Sequence, residues 1–198
     1  ALALLLAALF HDVGKAQTAE WEHKNGRLVI TNKRHDIISE KITKKIFNRM
    51  KIFSWNGYEL RESVLRLIRC LHRPSELWIN REVITKKAFN RLAADVAGEI
   101  DLLIQLDVAD RAGRSRKPIN DLDKEGRWLL QKFKELNVSR ETIQPLIMGR
   151  DLIPMGVEPG PEMGKFLKKL YNLQLDGEFE DKQKGLEIAK KLIQKEKR

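Results

Sequence analysis

Leu9-Phe10-His11-Asp12-Val13-Gly14-Lys15 decides how this chain is read. Residues 1–10 are small or aliphatic apart from one phenylalanine, and they run directly into an adjacent histidine and aspartate. An imidazole and a carboxylate side by side at the end of a buried helix are two ligand types that a divalent metal accepts. Gly14 supplies backbone freedom to end the helix, and Lys15 puts a positive charge where a phosphate would sit. A lone His-Asp pair more often caps a helix or meets water, so its meaning depends on the residues downstream.

The composition admits a globular protein and excludes a disordered one. The 198 residues are 42% hydrophobic and 33% charged, enough for one sizeable core or two modest ones. The single cysteine, Cys70, excludes an internal disulfide; within Leu67-Ile68-Arg69-Cys70-Leu71 it reads as a small core residue of a cytoplasmic protein. The apolar start has no basic leader and no cleavage pattern, and it is shorter than the roughly 20 residues of a membrane span. It is expected to be the remainder of a core helix, which makes the chain a fragment. Net charge is +10. Residues 1–120 carry 22 Lys and Arg against 14 Asp and Glu, an excess of eight, so an anionic partner is expected to touch that part.

Further along, Asn25-Gly26 before Arg27-Leu28-Val29-Ile30-Thr31 predicts a loop or small hairpin projecting from a helical body. Ile38, Ile42, Ile46 and Met50, spaced by four, predict an amphipathic helix opposite Lys41, Lys44, Lys45 and Arg49. Leu60, Val64, Leu67, Ile68 and Leu71 mark the next helix, with His72 in its last turn before Pro74. Helices are expected next over 86–96, with Thr85 as cap, and over 99–110, where Asp107 and Asp110 share a face. Ala112-Gly113-Arg114-Ser115-Arg116-Lys117-Pro118 is a candidate boundary. Beyond it, helices are expected after Asp121 or Asp123, from Ser139, from Pro161 and over 181–198.

Brought together, His11, Asp12, His35, His72 and Asp110 would form a mixed imidazole and carboxylate site for a divalent ion, with Asp107 in reserve. Such an ion lowers the pKa of bound water to about 7 and neutralises phosphate, the requirements of phosphoester hydrolysis.

The motifs resemble those of the HD-domain superfamily of metal-dependent phosphohydrolases. The likeness rests on Leu-Phe-His-Asp-Val-Gly-Lys at 9–15, Arg-His-Asp at 34–36, His72, and Ala-Asp at 109–110. More narrowly, the order resembles the C-terminal part of bacterial tRNA nucleotidyltransferases, the CCA-adding enzymes related to poly(A) polymerase. Thr85-Lys86-Lys87-Ala88-Phe89-Asn90-Arg91-Leu92, Leu106-Asp107-Val108-Ala109-Asp110 and the stretch from Gly149-Arg150-Asp151-Leu152 to Gln174-Leu175-Asp176-Gly177 stand in the matching places. Arg34 replaces a glycine of the pattern, and Pro74 comes after His72 with one residue between instead of two.

The resemblance implies an all-α HD bundle with a hairpin insertion at 1–117, N-terminally incomplete, and a smaller helical RNA-binding domain at 118–198. It implies a divalent metal (Mg, Mn, Ni, Co, Fe or Zn), a nucleotide phosphoester substrate, a tRNA or other RNA partner and no membrane. His11, Asp12 and Lys15 would be catalytic. An upstream histidine of the family and its Gly-rich nucleotidyltransferase motif do not occur in this sequence, so the chain is not expected to add nucleotides itself.

The sequence supports two functions. One is a phosphohydrolase acting on nucleotide or RNA phosphoesters such as 2′,3′-cyclic phosphates. The other is a non-catalytic body that grips tRNA through Arg111, Arg114, Arg116 and Lys117 and through the helix start at Gly160 with Lys165, Lys168 and Lys169.

Overall fold

The computed structural model describes residues 1–115, 123–138 and 143–196. Helices dominate, with one two-stranded hairpin among the described residues. They are α1 (Leu2–Phe10), α2 (Lys15–Thr18), α3 (His35–Arg49), α4 (Leu60–Cys70), α5 (Arg73–Ile79), α6 (Lys86–Asp95), α7 (Ile100–Arg114) and α8 (Lys124–Glu135). After these come α9 (Gly149–Leu152), a 3₁₀ turn (Ile153–Met155), α10 (Pro161–Leu175) and α11 (Lys182–Glu196). None of the described helices is long and apolar enough to cross a membrane.

α4 is the central helix. Leu60, Val64, Leu67, Ile68 and Leu71, the residues that predict it, are all buried. α1 packs on α4 through Ala3 and Ala7, whose small side chains let two backbones approach. The expected core helix is therefore covered on one side only, and Leu5 and Leu9 stand more than 60% exposed. α3 also corrects the prediction: its buried stripe is Ser39, Thr43 and Phe47, one residue on from Ile38, Ile42 and Ile46, while Met50 is exposed. The stripe begins with small polar residues because Gly14 presses against it. A Cβ on Gly14 would stand 2.4 Å from the His35 carbonyl oxygen and 2.6 Å from the Ser39 nitrogen. Gly14 itself has ordinary right-handed torsions, so it serves close approach and not, as expected, chain reversal. Its N–H donates to Ser39 Oγ at 2.9 Å.

The hairpin β1 (Glu20–Lys24) and β2 (Arg27–Thr31) forms as Asn25-Gly26 predicts, both turn residues having positive φ. A third left-handed residue, Arg34, leads into α3 with φ 58° and ψ 24°. That conformation costs a non-glycine residue about 1 kcal/mol or more.

His72 does not sit in the last turn of α4. The chain turns at Leu71 and His72, and Pro74 opens α5 in the first turn of a helix, where its missing N–H costs nothing. α7 likewise continues past Asp110 to Arg114, into the expected boundary.

Buried side chains divide into two cores. One joins α1, α3 to α7 and α8, the last through Leu129 and Phe133, with Val138 just beyond it. The second gathers Ile147, Leu152, Met163, Phe166, Leu170, Phe179 and Ala189. α8 thus packs with the segment N-terminal to it: Gly126 lies so close to Ile104 that a Cβ there would meet its Cγ2 at 2.4 Å. Arg91 and Lys87 on α6 clasp Asp176 beyond α10, linking the two cores. Cys70 is buried, and burial pushes its thiol up to about 12, as suits an unreactive core residue. Ser139, Arg116, Lys117 and Asp121 lie outside the described residues, and 143–148 are not helical.

Candidate metal centre

α1 delivers His11 just past its end, and the turn into α2 places Asp12 beside it. α3 begins with His35, the corner between α4 and α5 presents His72, and the third turn of α7 carries Asp110. Four separate stretches thus meet at one edge of α4.

The donors form a continuous row. His72 Nε2 is 3.3 Å from His35 Nε2, His35 Nε2 is 3.5 Å from Asp12 Oδ1, Asp12 Oδ2 is 3.4 Å from His11 Nε2, and His11 Nε2 is 3.3 Å from Asp110 Oδ1. Neighbouring ligands on an ion with bonds near 2.1 Å are spaced by roughly 3.0–3.5 Å. Each step of the row has that spacing. As the side chains stand, no group of three or more His, Cys, Asp or Glu among the described residues closes round one point as a cage. The five donors lie in an open line.

Second partners fix the rings. His11 Nδ1 is 2.8 Å from the Ala8 carbonyl and His35 Nδ1 is 2.8 Å from the Asn32 carbonyl, so each Nδ1 donates to a carbonyl and each Nε2 is turned toward the row. The Nε2 of His11 is buried and makes no well-aligned hydrogen bond; the atoms nearest it are the two carboxylate oxygens of Asp110 and Asp12. A bare lone pair there is repelled by both carboxylates unless a proton or a metal cation lies between. Proximity to Asp110 raises the His11 pKa above its ordinary value, with burial working against it. Burial lowers His72, and the neighbouring His35 adds to the shift. For Asp110, burial acts upward, but His11 and Arg114 outweigh it and hold the carboxyl below the usual range. This donor set fits a divalent ion: three imidazoles, two of them oriented through Nδ1, two carboxylates and a buried nitrogen between those carboxylates.

Other site residues have other employment. Lys15 Nζ sits 2.6 Å from Asp12 Oδ2. Asp107 turns away from the row into an ion pair with Arg111 at 2.7 Å, flanked by Ser75 and Glu125, and burial pushes it up to about 6. The reserve ligand is therefore a structural carboxylate. Arg111, expected on the RNA-facing surface, is turned inward between Asp107 and Glu125, because a buried acid requires a partner. Arg114 hydrogen-bonds Asp110. Lys165, exposed at the start of α10, pairs with Glu162, and Lys168 and Lys169 are exposed on the same helix, which Gly160 precedes. His23, on the hairpin, is exposed.

Two clefts flank the row. The larger, about 820 Å³, opens on His35 and His72; the smaller, about 310 Å³, opens on His11, Asp12 and Asp110. The sequence points to the five donors but not to Asn32, Ala8 and Ser39, which orient them. Those act through carbonyls or as a small buried hydroxyl, and neither leaves a compositional signal.

A helical bundle with this row at its centre defines a class, and residues 1–114 match the HD domain: the chain belongs to that family. It is also similar to the CC-adding tRNA nucleotidyltransferase of Thermus thermophilus, with 27% identity over 183 residues. That alignment covers 91% of this chain and 38% of the relative, so the chain spans little more than a third of the protein it resembles. No solved structure matches.

Proposed function

We propose that the row from His72 to Asp110 is the metal centre of a phosphohydrolase acting on nucleotide or RNA phosphoesters, such as 2′,3′-cyclic phosphates, within a tRNA-processing enzyme. The observation that carries it is the buried His11 Nε2, held between the carboxylates of Asp12 and Asp110 without a well-aligned hydrogen bond, beside two imidazoles that face each other. His11, Asp12, His35, His72 and Asp110 would hold one or two divalent ions of Mg, Mn, Ni, Co, Fe or Zn. A bound ion supplies Lewis acidity toward a phosphoryl oxygen and acidifies water. The chain's own part is positional. The Ala8 and Asn32 carbonyls hold the imidazoles in the ligating tautomer, and Lys15 balances Asp12 or takes a nonbridging phosphate oxygen. tRNA is the proposed partner, reached through the exposed lysines of α10, and the cytoplasm the proposed compartment. The proposed division remains an HD part at 1–117 and a C-terminal helical part at 118–198, with Leu129 and Phe133 of α8 packed into the first core.

The test is hydrolysis of 2′,3′-cyclic AMP by the purified chain in each metal, with His11→Ala and Asp12→Ala beside it. Metal-dependent turnover lost in both variants is expected; no turnover with any metal refutes the hydrolase. In that event the alternative, a non-catalytic tRNA-gripping body, predicts tRNA binding that weakens steeply as salt rises.

A further inference from the structure

The larger cleft holds four arginines, and they are not equivalent. Arg69 is bound to Glu40 at 2.6 Å and Arg73 to Asp95 at 3.1 Å. The Arg34 side chain makes no ion pair or hydrogen bond among the described residues, is exposed, and stands on a backbone held in the left-handed conformation that glycine would take without strain. Arg66 has a buried Nε without a hydrogen-bond partner, and its terminal nitrogen reaches Glu59 only at 3.8 Å. Two guanidiniums of the cleft therefore keep donors unspent, Arg34 next to His35 in the chain and Arg66 farther back along α4.

Their placement says what they receive. Arg66 precedes the His72 corner by six residues of α4 and turn, roughly 9 Å at helical rise. Its guanidinium leans toward Glu59 at the far end of that helix, away from the imidazoles. Arg34 sits directly before His35 on the opposite wall. Asp36 and Glu76 also line the cleft, and their charge offsets the two arginines, so the cleft does not gather anions at long range. It offers short-range donors to an anion already positioned, and acceptors for the hydroxyl or amino groups of the same ligand.

We propose that Arg34 and Arg66 bind a second phosphate of the substrate, remote from the ester at the imidazoles, so that the site selects the end of a polynucleotide over a mononucleotide. This rests on the phosphoester reading of the row, but its test reads binding without hydrolysis. Affinity of the 198-residue chain is measured in EDTA for two probes, adenosine 3′-monophosphate and the dinucleotide CpA carrying a 3′-phosphate. The dinucleotide is expected to bind at least tenfold more tightly. Arg34→Gly and Arg66→Ala should each bring the ratio below threefold, while Arg66→Lys restores part of it. Arg34→Gly should melt no lower than the parent, since glycine relieves the backbone, which separates lost binding from lost fold. A dinucleotide bound no more tightly than the mononucleotide, a ratio unchanged in both variants, or no binding of either probe overturns the proposal. Should the preference hold while no metal supports hydrolysis of 2′,3′-cyclic AMP, the hydrolase reading fails and the phosphate site stands.

Discussion

His35 Nε2 and His72 Nε2 face each other 3.3 Å apart, although they come from the start of α3 and from the corner between α4 and α5. Both residues are half-buried, and the Nδ1 of His35 is committed to the Asn32 carbonyl. Two lone pairs that meet in this way need a proton or a metal ion between them. Replacing His72 by Ala should therefore weaken binding of Mn or Co ions on the order of tenfold to a hundredfold, measured by calorimetric titration. An affinity equal to the parent's would place the ion elsewhere.

Gly14 is the point of close packing beside the same site. Its missing Cβ lets the turn after Asp12 lie against the first turn of α3, where backbone atoms, which cannot swing aside, would stand 2.4 Å and 2.6 Å away. Gly14→Ala should cost about 1–3 kcal/mol in urea unfolding and reduce metal affinity as well, since it pushes Asp12 away from His35. Parental stability in this variant would mean that the two turns are not packed as described.

Asp107 gives the chain a pH signature. Burial raises its pKa from an ordinary 3.8 to about 6, so the folded state binds a proton that the unfolded state has released. Its contribution to stability is complete below about pH 4 and is lost as the pH rises through about 6, a swing on the order of 3 kcal/mol. Asp107→Asn cannot titrate. The difference in unfolding free energy between parent and variant should shift in the variant's favour between about pH 4 and pH 7; a difference that does not change with pH would refute the assignment.

α8 packs into the first core, and Gly126 is a point of contact. Gly126→Ala sets a methyl group against Ile104 and Asp123 and should destabilise the chain by about 1–3 kcal/mol in urea. Gly160→Ala, where a Cβ meets nothing, is the control. Equal stability of the two variants would detach α8 from that core.

Much of this molecule can be read along the chain. The period of Leu60, Val64, Leu67, Ile68 and Leu71 specifies the central helix, because burial on one face of a helix must repeat at that interval. Asn25-Gly26 specifies the hairpin, since few other pairs accept two positive φ angles in succession. The donor types at 11, 12, 35, 72 and 110 are those a divalent metal accepts, and their identity alone suggests the proposed centre. Only the tertiary structure decided the rest. It chose Asp110 over Asp107 by giving Asp107 to Arg111, it moved the face of α3 by one residue to receive Gly14, and it drew α8 into the first core. Each of these choices depends on which surface another segment offers at the point of contact. Local periodicity carries no record of that, because the partner lies elsewhere along the chain and is selected by fit.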